Sequence, residues 1–264
     1  MVARRLVVFA GIAVLLAGGC RSGGATGAGG SPAGGASTPG GSPARGAPLP
    51  SAGLPYHPVI DPARFSATVD NPWFPLKPGT TFTYQGVKDG KPSRDVYTVT
   101  SDTKVIDGVP CAVVHDSLYL SGVLEEETLD YYTQDADGNV WYFGEDTKEL
   151  DANGKVTSTE GTWRAGINGA EPGIFMEADP LVGHSFRQEY DKGNAEDQYR
   201  VADLAATVSV PFGSYHDAML TVEWTALEPN VLDHKYYVRG VGEVAELSVK
   251  GPTEEARLVS VTTG

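Results

Sequence analysis

The densest group of side chains that could do chemistry lies between Tyr131 and Asp146. Asp135, Asp137 and Asn139 alternate along the chain as the oxygen ligands opening a calcium loop do, and Glu145 stands where a closing carboxylate would fall. Gly138 occupies the fourth place of that spacing, whereas an EF-hand has its glycine at the sixth, and the flanks are strand-like. Two readings therefore stand side by side: a calcium-stabilised module, and a hairpin with a polar turn. The same stretch carries Tyr131, Tyr132, Trp141 and Tyr142, with Trp163 further on. Aromatic faces beside carboxylates hold sugars or cationic groups, so Trp141, Tyr142 and Trp163 are candidate ligand contacts. The alternative is that they fill the core.

Other chemistry is hard to place. The chain has no Gly-x-Ser-x-Gly elbow, no His-Glu-x-x-His and no phosphate-cradling glycine loop. His57, His115, His184, His216 and His234 are scattered without metal-ligand spacing. Carboxylates are abundant, and a pair near Trp141 and Trp163 would serve a surface hydrolase of cell-wall or polysaccharide substrates. No residue is singled out as catalytic, and the chain reads as a binding or scaffold protein before an enzyme. Cys111 sits in the apolar run Val109-Pro110-Cys111-Ala112-Val113-Val114 and reads as core.

The elements that must position these residues read as strands. Leu220, Val222 and Trp224 alternate with Thr221, Glu223 and Thr225; Ala245, Leu247 and Val249 alternate with Glu246, Ser248 and Lys250. A period of two means one buried and one wet face, as in antiparallel sheets. Asp89-Gly90, Asp107-Gly108, Asp137-Gly138, Asn153-Gly154 and Asn168-Gly169 supply hairpin turns. No stretch of twelve residues keeps a helical period free of Gly or Pro. The fold class is all-β: an antiparallel meander forming a curved sheet, barrel or half-barrel. The stiff segment Asn71-Pro72-Trp73-Phe74-Pro75-Leu76 reads as a plug over one end of it.

The first twenty residues have another character. Arg4 and Arg5 precede the apolar run Leu6 to Leu16, which is shorter than the about 20 residues a spanning helix needs and suits a signal peptide. The run ends in Leu16-Ala17-Gly18-Gly19-Cys20, which resembles a bacterial lipobox, with Ala17 where that pattern favours leucine. The resemblance implies cleavage before Cys20 and lipidation of its thiol. Two or more acyl chains hold a protein stably at a membrane, so the expected location is extracytoplasmic and lipid-anchored. Residues 20–55 are almost all Gly, Ala, Ser and Pro and read as a linker. Residues 56–264 form the expected single domain, of a size that builds its own core.

Charge narrows the partners. The chain carries −14 overall; residues 1–63 hold Arg4, Arg5, Arg21 and Arg45 against Asp61, which leaves −17 from Arg64 onward. That excludes nucleic acid, which needs basic patches. A lipid, a sugar or an envelope protein stays open as the ligand of a lipid-anchored binder or scaffold.

Two motifs carry a further resemblance. The hairpin Asp137-Gly138-Asn139-Val140-Trp141-Tyr142-Phe143-Gly144-Glu145, and the pair Val210-Pro211-Phe212-Gly213-Ser214-Tyr215 and Tyr237-Val238-Arg239-Gly240-Val241-Gly242-Glu243-Val244, resemble a domain of uncharacterised bacterial secreted proteins and lipoproteins over roughly residues 70–250. That resemblance implies an exported β-domain and brings no catalytic residues with it.

Overall fold

A computed structural model describes residues 53–264. The signal, Cys20 and nearly all of the linker lie outside the described residues. Among the described residues there is no α-helix, and sixteen strands form one sheet. In chain order they are β1 (Phe65–Ser66), β2 (Thr80–Lys88), β3 (Lys91–Ile106), β4 (Val109–Leu120), β5 (Val123–Asp135), β6 (Val140–Leu150), β7 (Val156–Ser158), β8 (Trp163–Arg164), β9 (Glu171–Met176), β10 (Ser185–Arg187), β11 (Glu189–Tyr190), β12 (Asp197–Val210), β13 (Gly213–Thr225), β14 (Leu232–Val238), β15 (Gly242–Lys250) and β16 (Glu254–Thr263).

Every ladder is antiparallel, and consecutive strands pair as hairpins from β2 to β6 and from β12 to β16. The two meanders join where β16 runs beside β2. The turns Asp89-Gly90, Asp107-Gly108 and Asn168-Gly169 have positive φ at both residues, as two-residue hairpin turns of this twist require. Ser121-Gly122 does the same.

The two ends of this sheet meet through one short segment, residues 185–190. Its first half, β10, pairs with β12; its second half, β11, pairs with β9, which is itself paired to β6. Between them the Gln188 N–H donates to the Asp197 carbonyl at 2.8 Å. The result is a nearly closed barrel whose seam is a strand that changes partner midway. Such closure removes the exposed edges that an open sheet would leave.

One end of the barrel is stoppered. Trp73, Phe74 and Leu76 are buried, and Phe74 packs on Tyr132 and Phe175 with ring centroids 5.2 and 4.6 Å apart. The Asn71 side chain donates to the carbonyls of Gly138 and Glu177 at 2.9 and 3.2 Å, and the Gly240 N–H donates to Pro72 O at 2.7 Å. Arg239 covers the Trp73 ring at 4.6 Å. The 3₁₀ turn Pro62–Arg64, capped by the Asp61 carboxylate at 3.1 Å from Ala63 N, leads the chain to this plug. The opposite end, the mouth, is built by the turns at 89–90, 121–122 and 251–253 and the loops 151–155 and 226–231.

The alternation on β13 runs opposite to its hydrophobicity. Thr221, Glu223 and Thr225 face the barrel interior and are buried, while Leu220, Val222 and Trp224 lie on the outer face and are half-buried. Glu246 on β15 is also inside, with Leu247 outside. On β2 the aromatic residues face inward, with Phe82 and Tyr84 buried. The barrel thus has an aromatic interior toward the plug and a polar one elsewhere.

Candidate functional site

The interior is dominated by carboxyl groups. Among the described residues, twelve Asp and Glu side chains are buried, against three cations, Lys88, Arg187 and Lys235. They come from strands all around the barrel: Asp95 on β3, Asp116 on β4, Glu126 and Asp130 on β5, Glu145 on β6, Glu223 on β13, Glu246 on β15 and Glu254 on β16. Each sits at an inward position of a two-residue alternation, so the strand period itself assembles the belt.

Hydroxyls and the two lysines hold it together. The Tyr142 hydroxyl donates to Asp130 at 2.6 Å, and Thr221 donates to Glu223 at 2.7 Å. Thr128 lies 3.3 Å from Glu126 and 3.2 Å from Thr147, and Thr147 donates to Glu145 at 3.0 Å. The Lys235 ammonium sits 3.4 Å from Glu223 and 3.8 Å from Glu246; Lys88 sits 3.9 Å from Glu254.

So many charges cannot all persist away from water, because burial penalises the ionised form. Burial accordingly pushes the Asp95 carboxyl up to about 7, with Asp116 as its hydrogen-bond partner, and Glu254 up to about 7. Glu243 is raised to about 8, burial outweighing the attraction of Lys235. Asp116, Asp130, Glu145, Glu189 and Glu246 are raised well above the carboxylate range, burial again leading. For Lys235 burial works to lower the pKa, but Glu223 and Glu246 outweigh it and hold the ammonium charged.

At the mouth this interior meets solvent in a pocket of about 310 Å³. Its lining has an order across the sheet. Lys88 and Lys91 come from β2 and β3, Leu118 and Leu120 from β4, Glu125 and Glu126 from β5, and Glu149 and Leu150 from β6, with Asp89 and Thr157 at the rim. Glu126 and Glu149 are directly opposed in the β5–β6 ladder. Both have further partners, Thr128 Oγ1 lying 3.3 Å from Glu126. Sequence reading missed this pocket because its residues are spread over three hairpin ends with no local motif.

The residues singled out from sequence are dispersed. Asp135 closes its own hairpin: its carboxylate accepts from the backbone N–H groups of Asp137 and Asn139, from Asn139 Nδ2, and from Trp141 Nε1 at 2.8 Å. Asp137 is paired with Arg64 at 2.8 Å, and Asn139 Oδ1 accepts from Ala178 N. Glu145 points into the barrel beside Thr147. The four oxygens do not converge, and among the described residues no three metal-ligating side chains are grouped to hold an ion. The Asp135 carboxylate is satisfied by donors of its own hairpin.

The aromatic candidates are core. Trp141, Tyr142 and Trp163 are all buried. Trp141 packs edge-on against Phe65 on one face of β6, while Tyr142 stacks on Tyr132 at 4.8 Å and meets Trp163 at 5.5 Å on the other. They form no shared platform. The carboxylates beside Trp163, Glu145 and Glu189, are 1 % and 0 % exposed, so a polymeric substrate does not reach them. Cys111 is buried in the core, and burial raises its thiol to about 12.

No family model matches the chain, and no curated protein matches it. Two solved structures are similar at low level. One is a Bacteroides fragilis protein assigned as exported, with a YmcC-like fold: 15% identity, TM-score 0.42, spanning 72% of this chain and 99% of its own. The other is a Parabacteroides distasonis protein assigned as a lipoprotein: 12% identity, TM-score 0.38, spanning 72% and 98%. Neither likeness is close enough to transfer a role.

Proposed function

We propose that this chain is a lipid-anchored extracytoplasmic binding protein. In this reading Cys20 carries the lipid, residues 20–55 are the tether, and the barrel takes a small ligand at its mouth. The observation that carries it is the asymmetry of the barrel: one end is filled by Trp73, Phe74 and Leu76, and the other bears a pocket of about 310 Å³ lined by both charged and apolar side chains. That volume lies at the small end of ligand sites, roughly 300–1,000 Å³. The acidic interior argues against an apolar lipid in the lumen, because a carrier of that kind needs an apolar cavity and this lumen is lined by carboxyls.

The anchor is tested by metabolic labelling with a clickable palmitate analogue in a bacterial host. The wild-type chain should take up label and partition into detergent, and Cys20→Ser should do neither. Equal labelling of both, or wild-type protein free in the aqueous phase, removes the tether. The pocket is tested by native mass spectrometry of host-purified protein, in which a retained small molecule should be lost from a Leu120→Trp variant that fills the pocket.

A further inference from the structure

The β12–β13 hairpin is longer than the wall it belongs to. β10 pairs with β12 only as far as Arg200, and β14 pairs with β13 only from Met219. Within the ladders, residues 202–218 therefore pair only with one another. The ladder slips three times between Val201 and Val208, and Asp203 Oδ1 accepts from Ala205 N at 2.9 Å. Slips of this kind bend a strand sharply, and these stand where the hairpin leaves the wall. Beyond them the hairpin is held as a unit. Thr207 Oγ1 lies 3.4 Å from His216 Nδ1, and the Ser209 and Ser214 hydroxyls are 2.9 Å apart.

The bent hairpin lies over a split in the barrel. β15 and β16 are 9 and 10 residues long, yet they pair only from Ala245 with Arg257 to Leu247 with Glu255. β16 runs on beside β2 as far as Thr263, so β15 leaves its other edge from Leu258 onward. The tip of the hairpin arrives at that point. Phe212 N donates to Leu258 O at 3.0 Å, and Arg257 Nη1 donates to Ser209 O at 3.2 Å. β12 also comes against both β15 and β16, although it pairs with neither. Ala206, Val208 and Val210 are buried while Ala205, Thr207 and Ser209 are exposed, so one face of the hairpin rests on the barrel. Behind the split, the Tyr84 hydroxyl reaches from β2 to Glu243 O at 3.0 Å, beside a cavity of about 10 Å³ lined in part by Pro75, Phe82 and Tyr84.

We propose that residues 202–218 form a hinged strap that lifts as a unit on the bend at Asp203 and uncovers the split between β15 and β16 while the barrel stays folded. The neighbouring wall strands β13 and β14 have ladder partners on both sides. The strap is fastened instead by the Phe212 bond, by Arg257 and by the burial of Ala206, Val208 and Val210. Segments with few contacts open at a lower free energy than the whole domain. Closed, the strap also shields an edge that other chains could otherwise pair with.

The experiment is labelling of the folded, acylated full chain with N-ethylmaleimide, read peptide by peptide by mass spectrometry. Val208→Cys places a thiol under the strap, and Val244→Cys places one on the β15 lip of the split; both positions are buried. Cys111, 0% exposed in the core, reports opening of the barrel itself. Each introduced thiol should react roughly a hundredfold faster than Cys111, because it needs only the local opening. Arg257→Ala should speed both and leave Cys111 unchanged. A thiol at position 208 as slow as Cys111 would mean that the strap moves only when the barrel unfolds, which overturns the proposal. A fast thiol at 208 with a slow one at 244 removes the lateral opening. Hydrogen exchange of the parent chain reads the same motion without a variant: amides from Ala206 to Tyr215 should exchange ahead of those from Leu220 to Thr225. Exchange of the two stretches together also defeats the strap.

Discussion

Gly173 on β9 lies against the backbone of Gln188 so closely that a Cβ on it would stand 2.3 Å from the Gln188 carbonyl carbon. It would also meet the Arg187 carbonyl oxygen at 2.4 Å. This contact is the seam of the barrel, where segment 185–190 passes from β12 to β9. Backbone cannot yield there without parting the strands that close the ring.

Gly173→Ala should therefore open the seam. Overpacking of this kind costs about 3 kcal/mol, which for a domain of this size lowers Tm by roughly 6–12 °C. Thermal unfolding by circular dichroism measures it. A variant as stable as the parent would mean that the seam is not closed as described.

The carboxyl belt sets the pH dependence. Asp95 and Glu254 titrate at about 7 and Glu243 at about 8 in the folded chain, against about 4 when unfolded. Between those values the folded state holds more protons than the unfolded one, so stability must fall as pH rises. Each such group contributes up to about 1.4 kcal/mol per pH unit across its window. The urea midpoint should be highest near pH 4 and decline steadily to about pH 8. A midpoint that rose over this range would contradict a protonated interior.

Strand structure was legible in the sequence because alternation and Asp-Gly turns are local signals. The plug was legible too, since Trp73 and Phe74 among prolines have few other uses. The inversion of β13 was not. Leu220, Val222 and Trp224 alternate with Thr221, Glu223 and Thr225, and hydrophobicity alone assigns the first set to the interior. The opposite register holds because Glu223 has Lys235, Thr221, Tyr237 and Gln188 around it, partners that come from β13 itself, β14 and the seam. Pairing across strands decides which face is inside, and a single strand cannot show it. The mouth pocket was hidden for the same reason, and the Asp135 hairpin reads two ways in sequence because a turn and a calcium loop both space their oxygens by two.

Asp135 supplies a prediction that separates those two uses. Its carboxylate accepts four N–H groups within one hairpin, so Asp135→Ala leaves Trp141 Nε1 and two backbone donors without their partner. A buried donor left unsatisfied costs about 1–3 kcal/mol, and the loss should appear as a Tm lowered by several degrees. Chelation with EDTA should leave the Tm of the parent protein unchanged. A drop on chelation, restored by added calcium, would return the hairpin to a metal-binding role.

Lys235 joins the belt and its pH behaviour. It is the cation between Glu223 and Glu246, and Lys235→Met removes that charge while keeping much of the side chain's volume. Removing one partner from a buried ion pair costs about 3–5 kcal/mol when the other stays charged. Here Glu246 has an alternative, because burial favours its neutral form, as it does for Asp116 and Asp130. The penalty should therefore be small near pH 5, where Glu246, already raised by burial, can take up a proton cheaply, and grow toward pH 8. Paired urea titrations of parent and variant at the two pH values measure the difference. A penalty equal at both would show that the interior does not trade lysine charge for protons, and the carboxyl belt would then need another source of neutralisation.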